Sequence, residues 1–338
     1  MENSIRMIEE RLVELFSNGE WITTRKYFRR VEDRNPFISA SIISILDKCT
    51  IQSKKLINTI EKSKYHIKSY QKDHLTFHWP LKNGKSMMPN STFLGKLKSL
   101  ELSPDADCSV LQQIAINNPK HIKNLVSELE FYRYDNDRFK LSKQQSEISE
   151  NVYGSFLTWF PPKEHCHSKK IETVDIVVQS NILWFLGQND LKDTKGVSET
   201  RSFIVDALFN KTLMTNPYRF SPYYPFLSVI LYSIVRVAVW GNYSFILNYT
   251  DKITELALQV EINNSTDLLC LMSIEKLLNI NLNLPCFEID KLDRSPFYAL
   301  AFTEAFHSLE WLSRRSVAQM TFESEALKLA MLRWIKED

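Results

Sequence analysis

The stretch Ser103-Pro104-Asp105-Ala106-Asp107-Cys108-Ser109 runs on into Val110-Leu111-Gln112-Gln113-Ile114-Ala115-Ile116. A proline-led turn puts two carboxylates at the start of an almost wholly apolar run. Acids are favoured there, because first-turn N–H groups have no partner inside the helix and the helix dipole is positive at that end. The pattern predicts a helix over 105–117. Two readings stay open from these residues alone. Asp105 and Asp107 cap a buried helix, or they form an acid pair aimed into a cavity.

Working outward, the same arrangement recurs. Asn35-Pro36-Phe37 opens an apolar helix to Leu46, with the proline in the first turn, where it is tolerated. Glu172-Thr173-Val174-Asp175 leads into Ile176 to Leu186, with Gly187 as an expected stop. Ser221-Pro222-Tyr223-Tyr224-Pro225 opens a run reaching Trp240. Asn264-Ser265-Thr266-Asp267 caps 268–280, and Glu323-Ser324-Glu325 precedes 326–336. Between these lie more amphipathic helical segments: 3–17, 50–68, a helix to about 133, 198–214 and 250–261.

A helix that is apolar all round must be buried on all sides. Six such helices, each with an outer partner, are most simply an inner ring within an outer ring. The expected fold is therefore an all-α (α/α)6 toroid, with residues 1–338 as one domain and no strand pairs. An open solenoid of helix pairs is the alternative, but its repeats are usually more uniform.

Composition narrows the function. Lys+Arg number 42 against Asp+Glu 40, so the basic footprint of a nucleic-acid binder is absent. Five cysteines at irregular spacing suggest reduced thiols and a cytoplasmic protein. The N-terminal MENSIRMIEERLVELF has no apolar h-region. The longest apolar run, around Phe226–Tyr232, is too short for the roughly 20 residues of a membrane span. Only 7 glycines occur, in no G-x-G-x-x-G or Walker pattern. No H-E-x-x-H, serine elbow or D-D-x-x-D is present. Aromatics are plentiful (Phe 20, Tyr 13, Trp 7), enough to line a pocket. Two irregular stretches carry many of them. Residues 70–104 hold His74, Phe77, His78 and Trp79, and 152–171 hold Trp159, Phe160 and His165-Cys166-His167. Long irregular loops are usually functional or mobile.

Phe77-His78-Trp79-Pro80 followed by Pro104-Asp105-Ala106-Asp107-Cys108-Ser109 resembles the D-x-D-D (or D-x-D-T-T) acid motif of squalene–hopene and related terpene cyclases. Trp159-Phe160-Pro161 with Val174-Asp175-Ile176-Val177-Val178 looks like another turn of the same α/α-barrel superfamily, which also holds the protein prenyltransferase β subunits. The resemblance implies proton-initiated cyclisation of an isoprenoid, an isomerase or lyase chemistry. Asp107 would protonate a terminal alkene or epoxide, with Asp105 as its neighbour and Asp175 opening a second inner helix at the same end. A carboxyl kept neutral by burial and a nearby carboxylate can act as a general acid. A dry aromatic cavity stabilises the resulting carbocation through ring faces. Phe77, Trp79, Trp159, Phe160, Tyr223 and Tyr224 are the expected liners.

No metal and no cofactor are expected, magnesium entering only with a diphosphate substrate. Peripheral membrane contact is compatible with this reading. Three departures stand out: Cys108 replaces the final acid, the Q-x-x-x-G-x-W repeats are absent, and the length suffices for one barrel where those cyclases use two. A homodimer or partner chain would then supply the missing wall. The alternatives are a non-catalytic toroid serving as a scaffold, or a zinc-dependent prenyltransferase-type subunit. For the latter, His165-Cys166-His167 with Cys108 and the aspartates would be the ligands, without the spaced pairs usual at zinc sites.

Overall fold

A computed structural model describes residues 2–27, 29–50, 52–82, 85–86, 102–141, 145–163, 171–301 and 319–337. Its α-helices, in chain order, are α1 (Glu2–Glu14), α2 (Pro36–Leu46), α3 (Lys54–Ile67), α4 (Ala106–Ile116), α5 (Pro119–Phe131), α6 (Ser149–Val152) and α7 (Ile176–Gln188). There follow α8 (Val197–Phe209), α9 (Thr212–Thr215), α10 (Leu227–Trp240), α11 (Thr250–Leu258), α12 (Ser265–Leu278) and α13 (Glu325–Ile335). No described helix is long and apolar enough to cross a membrane.

The helix starts follow from their caps. Side chains of Asn35, Asp105, Asp175, Asn264 and Ser324 accept first-turn backbone N–H groups of α2, α4, α7, α12 and α13. Left-handed Asn117 and Asn279 end α4 and α12. Every residue of α2 and all of Ile176–Leu186 in α7 are buried, as their all-round apolar sequences require.

These apolar helices close on one another. α2 packs on α4, α4 on α7, α7 on α10, α10 on α12, α12 on α13, and α13 back on α2. The amphipathic helices lie outside them: α3 against α2, α5 against α4, α8 against α7, α11 against α10. The N-terminal α1 packs on the C-terminal α13. Among the described residues α12 is followed not by a flanking α-helix but by irregular chain with one short 3-10 turn.

Two expectations need correction. The chain is mostly helical but not all-α. Tyr298–Ala301, Gln319–Glu323, Thr23–Lys26 and Arg30–Asp33 form, in that spatial order, a four-stranded antiparallel sheet. Its strands have only four or five residues, too few for a period-2 signal to stand out. Gly187, expected as a stop, lies inside α7. A Cβ there would sit 1.9 Å from the carbonyl oxygen of Gly241 at the end of α10. The glycine is needed because two backbones meet.

Candidate active site

The starts of α2, α4, α7 and α10 converge on one cavity. Its described walls are Phe37 from α2, Asp107 and Cys108 from α4 with the capping Asp105, Val178 from α7, and Tyr223 and Tyr224 ahead of α10. Thr158 and Trp159, His78, and Tyr298 of the sheet complete it. The space measures about 340 Å³, its open mouth included.

The two irregular stretches are pinned to α4 by backbone bonds. Asp105 bridges Trp159, the Ala106 N–H donates to the Thr158 carbonyl (2.8 Å), and the Phe160 N–H to the Pro104 carbonyl (2.9 Å). This brings Trp159 beside the acid pair. Its indole N–H donates to the Tyr223 hydroxyl at 2.7 Å.

The two aspartates have different tasks. Asp105 caps α4: one oxygen accepts from the Cys108 N–H at 2.6 Å. Its other oxygen is buried and has no hydrogen-bond partner among the described residues. Burial pushes this carboxyl up to about 7, and the charge of Asp107 adds to the rise. Asp107 caps nothing. Its Oδ1 accepts from the Asn181 side-chain amide at 2.5 Å, and its Oδ2 from the Tyr224 hydroxyl. Behind Asn181, the Arg236 guanidinium donates to the amide oxygen. Burial raises the Asp107 carboxyl too, opposed by Tyr224, Asn181 and the positive charge of Arg236. Both groups are only 4% exposed, so each is costly to ionise.

Asp175 stands behind the cavity wall and not on it. It accepts from the Val177 N–H (2.9 Å), the Ser221 hydroxyl (2.7 Å) and the Tyr223 N–H (2.9 Å). Burial pushes it up to about 7 against these donors. The geometry makes it the clamp that holds the 221–224 turn, and with it Tyr224, against Asp107.

Of the six aromatics expected to line the cavity, Trp159, Tyr223 and Tyr224 do so. Phe77, Trp79 and Phe160 are not among the described lining residues. Trp79 is buried edge-on to His78 and Phe160 packs on Tyr132. In their place Phe37 and Tyr298 face the cavity, 5.0 Å apart between ring centroids. Tyr298 stacks on Phe322 of the sheet at 4.3 Å.

His78, Asp105 and Cys108 present ligating atoms that all lie within 4.8 Å of one another, the His78 Nδ1 3.6 Å from the Cys108 Sγ. All three are buried. Burial takes His78 down to about 3, so its ring is neutral, as metal ligation requires. A nitrogen, thiol and carboxylate set suits zinc better than magnesium. Cys108 with an aspartate was part of the zinc set expected from the sequence, and His78 was not. His165-Cys166-His167 lies outside the described residues.

Asn181 and Arg236 were also missed. Their signal was present: two amides, Gln179 and Asn181, in the apolar run 176–186 and one cation in 227–240.

The fold can be set beside known ones. It is similar to that of the type II terpene cyclase MstE from Scytonema, in three solved structures. These are a variant in complex with the product merosterolic acid A (TM-score 0.58), the apo protein (0.56), and a second variant in complex with the substrate geranylgeranyl dihydroxybenzoate (0.54). Each alignment covers 99% of this chain and 96% of that chain at 10% identity. The likeness is one of fold. No protein-family model matches the sequence, and no curated protein matches it.

Proposed function

We propose that this chain is a terpene cyclase-like enzyme on an (α/α)6 toroid, starting the cyclisation of an isoprenoid by proton transfer from Asp107. The observation that carries the reading is the setting of Asp107. It is a buried carboxyl with one oxygen engaged by an amide donor and the other beside a cavity-lining phenol. The shared fold with a protein solved around an isoprenoid-bearing substrate supports the reading.

The chemistry follows from the groups present. The neutral Asp107 gives its Oδ2 proton to the less substituted carbon of an alkene. The π pair forms the new C–H bond and leaves a tertiary cation, which later alkenes of the chain attack in turn. Asp107 remains as a carboxylate, accepting from Asn181 and Tyr224. Charge-assisted bonds of this kind contribute about 1.5–3 kcal/mol each, which favours the proton's departure. The cation meets the ring faces of Phe37, Trp159, Tyr223 and Tyr298, each such contact stabilising it by about 2 kcal/mol or more in a dry site.

The test is incubation with prenyl diphosphates, prenylated arenes and their epoxides, followed by mass spectrometry. Proton initiation places one solvent deuteron in the product when the reaction runs in D2O. Cyclised product without that deuteron refutes the mechanism.

The His78–Asp105–Cys108 group favours a second reading, zinc-dependent prenyl transfer. Stoichiometric zinc in the purified protein, with thiol alkylation by a prenyl diphosphate and no cyclised product, selects it.

A further inference from the structure

Arg236 is the only charged side chain of α10, set in LSVILYSIVRVAVW and just 6% exposed. Removing a guanidinium from water costs several kcal/mol unless it is paired. Among the described residues no carboxylate lies within ion-pair distance of it. The charge rests instead on two ring faces, Trp184 at 4.6 Å and Tyr232 at 5.1 Å, with the Nε lacking a partner. Its guanidinium donates to the amide oxygen of Asn181 and also interacts with the Tyr232 hydroxyl. The charge thus serves the amide of Asn181 directly and the Asp107 carboxyl through space.

An asparagine amide has an accepting end and a donating end, and either can face a neutral carboxyl group. Arginine only donates. With Arg236 on its oxygen, Asn181 must turn its NH2 to Asp107, and this group also only donates. The Asp107 Oδ1 must therefore offer a lone pair, and the acid's single proton is confined to Oδ2, the oxygen beside Tyr224. Without the arginine the amide can turn over and accept a proton from Oδ1, which directs the acid away from the cavity-lining phenol.

We infer that Arg236 is a positioning residue: through Asn181 it decides which oxygen of Asp107 holds the catalytic proton. The inference rests on the proposed role of Asp107, but its spectroscopic test does not need turnover.

Two variants separate positioning from packing. Arg236→Lys keeps a side chain that only donates. Arg236→Gln keeps polarity but can accept, so it releases the amide. Expected is a kcat within about threefold of the parent for Lys, and a fall of about tenfold or more for Gln with KM unchanged. In infrared difference spectra at pH 5–6, the carboxylic C=O stretch lost in Asp107→Asn should shift in Arg236→Gln and stay in place in Arg236→Lys. Equal rates and equal band positions in the two variants overturn the proposal, as does the absence of a protonated Asp107 band in the parent. If no substrate turns over, the cyclase reading fails and the band position alone decides the orientation. Should Arg236→Gln not fold, Arg236→Met carries the same expectations, and a band unmoved there also overturns the proposal.

Discussion

Asp107→Asn is the most informative single change. The amide matches the carboxyl in shape. Asn181 requires an acceptor at Oδ1, so the new NH2 must point to Tyr224, whose hydroxyl can accept as readily as it donates. No hydrogen bond is lost, and at about 1 kcal/mol per bond the stability should move by less than about 1 kcal/mol. For a chain of this size that is a Tm change below about 4 °C. Activity should collapse. A positioned general acid contributes about 10²- to 10⁴-fold, so the expected loss is about 10³-fold, near 4 kcal/mol of barrier, and Asp105→Asn made beside it shows whether the second cavity carboxyl substitutes. Asp107→Ala is the contrast, because it orphans the Asn181 amide and the Tyr224 hydroxyl together. At about 1–3 kcal/mol for each unsatisfied group it should destabilise by several kcal/mol. Initial rates by gas chromatography and mass spectrometry, with thermal melts on the same samples, read both quantities. Asp107→Asn that turns over within tenfold of the parent refutes the acid assignment. A melt as poor as that of Asp107→Ala refutes the hydrogen-bond geometry.

Further changes test other parts of the structure. Tyr224→Phe removes one donor to the Asp107 carboxylate formed after proton transfer. It should lower kcat about 10- to 100-fold without loss of fold, and an unchanged kcat would show that the phenol is only wall. Gly187→Ala drives a Cβ to 1.9 Å from the Gly241 carbonyl oxygen, where neither backbone can rotate away. Parting α7 from α10 should cost about 3 kcal/mol or more, and a Tm within 2 °C of the parent, read against roughly 2–4 °C per kcal/mol, would contradict the close approach. Glu20 is fully buried, accepts from Tyr70 at 2.8 Å, and is raised from 4.5 to about 7 by burial. A raised carboxyl gives stability that is complete below the unfolded value of about 4.5 and is lost as pH climbs through about 7. Glu20→Gln should therefore stabilise the fold by up to roughly 3 kcal/mol at pH 8 and by little at pH 4, at about 1.4 kcal/mol per pKa unit. An equal gain at both pH values removes the titration from the explanation.

The inner helices were readable because each carries a long apolar run, and all but α10 carry a side-chain cap of their own. Asn35, Asp105, Asp175, Asn264 and Ser324 are local signals, complete within three or four residues. The sheet was not readable for the opposite reason. Thr23–Lys26 pairs with Gln319–Glu323 from the far end of the chain, and neither strand is long enough to announce a face. Aromatic content likewise foretold burial but not direction, so Trp159 reached the cavity while Trp79 turned to His78. Asn181 and Arg236 lie well inside α7 and α10. Which face of a wholly apolar helix they occupy depends on how the helices close against one another, and no window of sequence encodes that.

The two readings of Asp105-Ala106-Asp107 turn out not to compete. Residue 105 is the N-cap, so its side chain folds back onto the first turn and half of its carboxyl is spent on the Cys108 N–H. Residue 107 lies two positions inside the helix, past the cap. Its side chain is free to leave α4 and meet α7 and the 221–224 turn. An acid pair at this spacing therefore divides by geometry: both carboxyls face the cavity, but Asp105 spends one oxygen on its cap while Asp107 is held by α7 and the 221–224 turn. The same division explains Asp175. It also occupies a cap position, its oxygens are taken by α7, the Ser221 hydroxyl and the Tyr223 N–H, and no second acid follows it two residues on. One acid in the right register past a cap, and not the number of acids at the cavity mouth, is what marks Asp107 as the group to test.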